Sequence, residues 1–165
     1  MSECSAATLR RAHAVHPIAA VQVEYSPFTL DIEDDNIALL KTARELGITI
    51  VAYAPLGRGL LTGRYKSPDD FDETDGRRTI PRYAEGRPCF FFVLTNSLWR
   101  YSKENFPNIL KLVDGLKQIG ENYQATAGQV SLAWLLGQGH DVIPIPGTTN
   151  AKVSSLPFFT QLHRY

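Results

Sequence analysis

The sequence predicts an α/β fold in which helices cover a parallel sheet. Two observations lead to this class. Stretches with helical spacing of apolar residues alternate with short apolar stretches that are typical of strands, and the connections are short. The stretch 48–53 is almost wholly apolar, as expected for a strand covered on both faces. The resulting order of helix, strand, helix and strand is the order of folds with parallel strands.

A first helix and a first strand are predicted within residues 5–27. Ser5 can accept a hydrogen bond from a free amide at the start of a helix over 5–14, and Pro17 ends that helix. A buried strand rich in valine and alanine follows from Ile18 to Tyr25. Ser26-Pro27 then ends the strand, so a loop is expected after it.

A second helix and a second strand are predicted before residue 54. Asp35 or Asn36 can cap the helix, and Gly47 stands where a left-handed residue commonly follows one. A strand over 48–53 comes next, and the polar stretch 64–78 is predicted to be a long surface loop. The apolar side of the helix is expected to comprise Ile37, Leu40, Ala43 and Leu46.

Two more helices and a third strand are predicted beyond residue 104. Asn105 opens one helix with Pro107 in its first turn, and Thr126-Ala-Gly-Gln129 matches a capping box at the start of the next. Trp134 recurs at helical spacing in that second helix and is interpreted as a core residue rather than a ligand platform. Residues 141–145 are a third strand. The buried stripe of the first helix is expected to comprise Ile109, Leu112, Val113, Leu116 and Ile119.

The composition argues against several classes of protein. The chain has 165 residues, with 17 Lys plus Arg against 17 Asp plus Glu, so its net charge favours no nucleic acid. Cys4 and Cys89 match no metal or redox spacing and are interpreted as free thiols. No stretch approaches the roughly 20 apolar residues of a membrane span, and the N-terminus does not resemble a secretory signal. We therefore expect a cytoplasmic protein without a metal site.

Glycine-rich turns follow two of the three predicted strands. Glycines let backbone amides approach a phosphate closely, and ligands of parallel α/β folds lie at the carboxyl ends of the strands. The turns at 56–63 and 147–150 therefore favour a phosphate-bearing ligand. Arg58 and Lys152 either add positive charge to that site or are solvated surface residues. Tyr53 either stacks on a flat ring or closes the core.

Three motifs in these segments resemble the second half of aldo-keto reductases. They are 20–28, which contains Gln22, then 47–63, which contains the first glycine turn, and 143–149, which contains the second. Their order and spacing match that family over most of the chain. Within the family the motifs are most similar to the branch of pyridoxal reductase and plant perakine reductase.

The resemblance implies a fold, a cofactor and a set of binding residues. The fold would be a partial (β/α)₈ TIM barrel, with roughly strands 6–8 and their helices, and the cofactor would be NADP(H). Ser2, Glu3 and Gln22 match the positions that hold the nicotinamide carboxamide, and Tyr53 matches the aromatic residue that stacks on the nicotinamide ring. The pyrophosphate loop would contribute the amides of Leu56, Gly57, Gly59 and Leu61, and the adenosine phosphate would lie near Gly147, Thr148, Asn150 and Lys152.

No residue of this chain matches the four catalytic positions of the family, which are an Asp, a Tyr, a Lys and a His on the first half of the barrel. We therefore assign no catalytic residue, and we expect a truncated reductase that is inactive alone. Full-length relatives would reduce carbonyl compounds with NADPH. The alternatives are a non-catalytic module that binds cofactor or regulates a partner, and a pseudogene product. Exposed sheet edges would also favour self-association.

Two segments depart from the family. When residues 83–100 are left out, the sequence from Thr79 to Asn105 reads Thr-Ile-Pro-Arg-Tyr-Ser-Lys-Glu-Asn, which is similar to the family. We interpret residues 83–100 as an aberrant insertion from a retained intron. A true loop insertion is the alternative. Residues 154–165 lack the helix expected at the adenosine end. The remainder of 1–165 is expected to be a single partial oxidoreductase domain.

Overall fold

The computed structural model describes residues 1–75, 77 and 103–148. Short 3₁₀ turns occur at Asp31–Glu33, Gly57–Thr62 and Pro68–Asp70. The predictions for the insertion at 83–100 and for residues 154–165 lie outside the described residues. The helices are α1 (Ala6–Val15), α2 (Leu39–Glu45), α3 (Phe106–Glu121) and α4 (Ala127–Gly137), and the strands are β1 (Ala20–Glu24), β2 (Thr49–Tyr53) and β3 (Val142–Pro144).

Three parallel strands form the sheet in the order β1, β2, β3. Gln22 of β1 pairs with Val51 of β2, and Val51 pairs with Ile143 of β3. Helix α2 connects the first two strands, and α3 and α4 lie between the last two in sequence. The predicted α/β class with parallel strands is confirmed, and over the described residues the sheet is open. Each strand is slightly shorter than predicted, although backbone hydrogen bonds continue past its ends, as from Tyr25 to Tyr53 (3.4 Å) and from Ile145 to Ala52 (3.0 Å).

The first three residues run alongside β1 on the edge opposite β2. The N-terminal ammonium group donates to the carbonyl of Ala20 (3.0 Å), and the Gln22 amide donates to the carbonyl of Met1 (2.8 Å). The Glu3 amide in turn donates to the carbonyl of Gln22 (3.1 Å), and Ser2 forms a parallel bridge with Gln22. Ser2 and Glu3 are therefore held in strand-like register with β1.

The chain divides into two compact units, 1–58 with 129–165, and 59–128. In the first unit, alternate strand residues are buried, such as Val21, Val23 and Ile50, and they form one core with Leu9 and Leu135. The buried residues of a strand alternate because successive side chains point to opposite faces of the sheet. One face of the sheet is therefore covered by this core.

Trp134 belongs to the core of the first unit, as predicted. Its ring packs edge-on against the buried ring of Tyr25, with 5.5 Å between the centroids. Nearby, Arg44 of α2 donates through Nε to Asp141 (2.9 Å) and through a terminal nitrogen to the carbonyl of Gln138 (2.6 Å). This ion pair joins α2 to the turn that precedes β3.

The stretch 64–78 of the second unit was predicted to be a long surface loop. Over its described residues it contains one short 3₁₀ turn, which Ser67 caps in a capping box with Asp70, and most of these residues are exposed. Phe71 is buried, and the guanidinium group of Arg77 lies over the rings of both Phe71 (4.3 Å) and Tyr65 (4.5 Å). The loop therefore has a small aromatic cluster that the sequence analysis did not predict.

Two helix predictions also need correction. Helix α2 begins at Leu39 rather than after Asp35 or Asn36, because Asp34 accepts the amide of Asn36 (2.7 Å) and holds these residues in a turn. Ile37 therefore stays exposed. In α3 the stripe is right at Ile109, Val113 and Leu116, but Ile119 is 52% exposed. Gly47 adopts the predicted left-handed conformation, with φ of 66°.

Among the described helices, none is long and apolar enough to cross a membrane.

Candidate functional site

The candidate site lies at the carboxyl ends of β1 and β2, within the first compact unit. Gln22 is exposed and Tyr53 is half-buried, and both alternate with core residues, so they lie on the sheet face opposite the core. Glu24 is the register partner of Tyr53 in the neighbouring strand. The carboxyl end of a parallel sheet is where the ligands of such folds bind.

Glu3 and Tyr53 both lie beside Glu24 at the end of β1. Glu3 Oε1 accepts the backbone amide of Glu24 (3.3 Å), and Tyr53 pairs with Glu24 in the register of the two strands. Glu24 itself accepts a hydrogen bond from the hydroxyl of Thr29 (3.4 Å). Three adjacent segments of chain therefore bring two carboxylates and one phenol together at this corner of the sheet.

This environment changes the acidity of Tyr53. Burial disfavours the charged phenolate and raises the pKa of the Tyr53 phenol above its ordinary value. The carboxylates of Glu3 and Glu24 raise this pKa further, and the nearby Arg58 opposes them. The phenol of Tyr53 therefore stays protonated to a higher pH than an ordinary tyrosine does.

The side chains of Ser2 and Gln22 form no hydrogen bonds with the described residues. Both are exposed, and their main chains are joined in a parallel bridge. A glutamine side chain carries one acceptor oxygen and two donor hydrogens, and a serine hydroxyl donates and accepts. The pair therefore suits a ligand with a carboxamide group, which also has one acceptor and two donor hydrogens.

The turn after β2 has a backbone that favours glycine. Ala54 (φ 48°), Gly57 (φ 55°), Arg58 (φ 53°) and Gly59 (φ 92°) all have positive φ. The Gly57 amide donates to the carbonyl of Ala54 (2.9 Å), so this amide is engaged within the turn. Leu56 is half-buried. Any phosphate contact of the Gly57 amide would require this internal bond to open.

A side chain of helix α4 hydrogen-bonds to the chain just before this turn. The buried hydroxyl of Ser131 donates to the carbonyl of Pro55 (2.9 Å), and Ser131 is wholly buried. No motif in the sequence pointed to Ser131 beyond its position in a predicted helix. Gly59 and Leu61, the other predicted loop residues, belong to the second compact unit, where Leu61 is fully buried.

The end of β3 carries the second predicted binding turn. The Ile145 amide donates to the carbonyl of Ala52 (3.0 Å), which extends the sheet past Pro144. Gly147 and Thr148 follow and are exposed. Asn150 and Lys152, assigned by resemblance to the adenosine end, lie outside the described residues.

Among residues 1–75, 77 and 103–148, no group of three or more His, Cys, Asp or Glu side chains is placed to hold a metal ion. One of the histidines, His13, accepts the amide of Ile18 (3.2 Å) through Nδ1 and so stabilises the turn after α1.

The resemblance also implies an NADP(H) site, and the residues near the strand ends fit its nicotinamide. Gln22 and Ser2 have an amide and a hydroxyl without partners among the described residues, and Tyr53 has a half-buried ring.

Comparison with known proteins identifies the family. The family model for the aldo/keto reductase family matches residues 1–154, and the chain belongs to this family. The chain is 62% identical over 152 residues to "Aldo-keto reductase str7" of Strobilurus tenacellus, covering 92% of this chain and 40% of that relative. It is 54% identical over 152 residues to "Aldo-keto reductase yakc" of Schizosaccharomyces pombe, whose name specifies NADP(+), covering 92% and 39%. The chain thus spans about 40% of the length of these curated relatives.

A solved structure supports the same fold. The chain superposes on the glycerol dehydrogenase of Gluconobacter oxydans with a TM-score of 0.76 and 24% identity, covering 99% of this chain and 43% of that protein. At this identity the likeness concerns the fold alone. The resemblance to aldo-keto reductases drawn from the motifs is confirmed at the level of the family.

Proposed function

We propose that this chain is the C-terminal part of an NADPH-dependent aldo-keto reductase and forms roughly strands 6–8 of its (β/α)₈ barrel with their helices. We also propose that the first unit forms the nicotinamide end of the cofactor site. The observation that carries the proposal is that Gln22 and Tyr53 lie on the same face of two neighbouring parallel strands, with Ser2 bridged to Gln22. Glu3 lies beside them, and its carboxylate accepts the amide of Glu24 (3.3 Å). The membership of the family and the NADP(+) in a relative's name support the choice of cofactor.

The residues have separate parts in this proposal. Gln22 and Ser2 offer free polar groups to the carboxamide, and the ring of Tyr53 offers a flat, half-buried surface to the nicotinamide. When bound, the cofactor supplies a hydride to a carbonyl substrate. The glycine-rich turns predicted at 56–63 and 147–150 would hold the phosphates, as the resemblance implies.

The 165 residues alone are proposed to be inactive. Proton transfer to the carbonyl oxygen needs a positioned acid, and no residue of the chain matches the family's catalytic Tyr or its Lys, Asp and His partners. The experiment is aldehyde-dependent oxidation of NADPH by the purified chain, followed by absorbance. We expect no rate above that of buffer, and a rate that scales with protein concentration would overturn this part of the proposal.

Cofactor binding is tested separately by titrating the chain with NADPH and following nicotinamide fluorescence. Gln22→Ala should weaken binding about 3- to 10-fold, because one hydrogen bond is lost. Gln118→Ala is the matched control, since Gln118 is an exposed glutamine on α3 in the other unit. Equal effects of the two substitutions, or no binding by the unaltered chain, would contradict the proposed site.

A second candidate is a non-catalytic module that binds cofactor or a partner chain, and a pseudogene product is the third. The exposure of Ile143 (49%) and Ile145 (43%) on the sheet favours an interaction role, including self-association. Sedimentation of the chain at several concentrations would detect self-association, and specific recovery of one partner without reductase activity would favour the module. A cytoplasmic location and the pyridoxal and perakine reductase branch remain proposals.

A further inference from the structure

The peptide group between Pro55 and Leu56 is hydrogen-bonded on one side only. Its carbonyl oxygen accepts the hydroxyl of Ser131 (2.9 Å), whereas its amide, which belongs to Leu56, has no hydrogen-bond partner among the described residues. The next amide along the turn, that of Gly57, already donates to the carbonyl of Ala54 (2.9 Å). Of the two amides in the first unit that the resemblance assigns to the pyrophosphate, that of Leu56 is therefore the free one.

The turn that contains this peptide group is strained. Ala54 (φ 48°) and Arg58 (φ 53°) have left-handed conformations, which are unfavourable for residues other than glycine. Such conformations persist only where surrounding contacts fix them, and they concentrate at functional sites. The hydrogen bond from Ser131 to Pro55 is a contact of this kind, since it joins the turn to a residue 76 positions away in the sequence.

Helix α4 gives the Ser131 hydroxyl a fixed position. Ser131 is wholly buried, and Leu135, one helical turn further along the same face, belongs to the core of the first unit. A serine within a helix can bond to a carbonyl of its own helix, but this hydroxyl donates to Pro55 instead. Apolar packing therefore holds the helix, and the helix holds the hydroxyl against the turn.

We propose that Ser131 is a positioning residue, which fixes the plane of the peptide group between Pro55 and Leu56 and so aims the free Leu56 amide at the pyrophosphate of the cofactor. This inference rests on the proposed function. A trans peptide group is planar and its N–H points away from its C=O, so a hydrogen bond to the carbonyl also sets the direction of the amide. The same bond polarises the peptide group and makes its N–H a stronger donor. An amide that is oriented before binding loses less conformational entropy when an anion binds.

The NADPH affinity of Ser131 variants tests this role. Ser131→Ala should weaken binding about 5-fold, because the peptide group is no longer held. Ser131→Thr keeps the hydroxyl and should stay within about 2-fold of the unaltered chain. Thr42→Val is the matched control, since Thr42 is a buried residue of the same unit whose hydroxyl accepts Arg10 (3.2 Å) on α2.

The control should lose stability without losing affinity. Unchanged affinity in Ser131→Ala would overturn the proposal, because the orientation of the Leu56 amide would then not depend on the hydroxyl. A loss in Thr42→Val as large as in Ser131→Ala would also overturn it, because the loss would then follow from destabilisation of the unit.

Nuclear magnetic resonance of a chain with isotope-labelled leucine measures the amide itself. Leu56→Met identifies the signal of Leu56. Without cofactor, Ser131→Ala should shift that signal, because the bond at the Pro55 carbonyl polarises the same peptide group, and Thr42→Val should leave it in place. Saturation of the unaltered chain with NADPH should move the Leu56 amide proton to lower field, as expected for a new hydrogen bond to an anion. A Leu56 signal that NADPH leaves in place would overturn the contact.

The two measurements also separate this inference from the proposed function. If the unaltered chain binds no NADPH, the proposed function fails and the positioning role fails with it. If NADPH binds and Ser131→Ala leaves the affinity unchanged, the cofactor site stands and only the role of Ser131 is refuted. Thermal melting of each variant identifies any loss of binding that results from unfolding.

Discussion

Replacing Tyr25 by phenylalanine should destabilise the first unit through one hydrogen bond. The Tyr25 side chain is wholly buried, and its hydroxyl donates to Glu33 Oε1 over 2.5 Å. Phenylalanine keeps the ring, so the edge-on contact with Trp134 at 5.5 Å is retained. The substitution therefore isolates the hydroxyl from the packing of the ring.

The size of the effect follows from the two partners. A hydrogen bond to a charged group contributes about 1.5–3 kcal/mol to stability. Glu33 is exposed, so its carboxylate regains water when the hydroxyl is removed, and the loss should fall near the lower limit, about 1.5 kcal/mol. With a urea m-value of about 2 kcal/mol per molar, the midpoint of unfolding should fall by about 0.7 M.

Urea unfolding followed by tryptophan fluorescence measures this shift. Tyr123→Phe is the matched control, because Tyr123 is 77% exposed and should not move the midpoint. Glu33→Ala should have a smaller effect in the Tyr25→Phe background than in the unaltered chain. The reasoning is refuted if Tyr25→Phe shifts the midpoint by less than the control does, or if Glu33→Ala is equally costly in both backgrounds.

Four further substitutions test other contacts, each by urea unfolding unless stated. Gly63→Ala should cost about 2 kcal/mol and Gly47→Ala about 1, since both have positive φ but only a Cβ at Gly63 would crowd a neighbour, at 3.1 Å from a methyl carbon of Val113; equal costs would contradict this. Arg44→Ala should cost less than about 1 kcal/mol because its ion pair with Asp141 is partly exposed. The hydrogen bond from the Arg44 guanidinium lowers the pKa of Asp141, so the ion pair stabilises the fold at neutral pH. This stabilisation should be lost as pH falls through the lowered pKa. An acid-unfolding profile that Arg44→Ala leaves unchanged would refute the role of the pair. Arg77→Lys should cost about 1 kcal/mol and speed cleavage by chymotrypsin, because lysine cannot lie flat on two rings; unchanged cleavage would refute the stacking.

The elements with strong local signals were predictable from the sequence. Helix α1 begins after Ser5, whose side chain accepts the amide of Thr8, and α3 begins after Asn105 with Pro107 in its first turn. Gly47 has the positive φ expected at the end of α2. These features depend on neighbouring residues only, so the composition of a short stretch is enough to reveal them.

Two features were missed for different reasons. Periodicity placed Ile37 in a helix that in fact begins two residues later, because Asp34 accepts the amide of Asn36 and so holds a local turn there. The apolar residues of 64–78 have no helical or strand period, so the sequence gives no sign that Arg77 packs against Tyr65 and Phe71, and a cluster of that kind can be recognised only when the chain has folded.

The candidate site was likewise predictable only in part from the sequence. The positions of Gln22 and Tyr53 followed from strands that were predictable, since parallel strands bring their carboxyl ends to one edge. The contact of Glu3 with Glu24 could not be predicted, because it requires residues 1–3 to pair with β1 and Glu3 to take a positive φ. A family motif assigns a role to a position, whereas the hydrogen bonds of that position decide which group is free for a ligand. Among the described residues the side chains of Ser2 and Gln22 have no hydrogen-bond partner, whereas the carboxylate of Glu3 accepts the amide of Glu24, so affinity for a carboxamide should depend more on the first two than on the third.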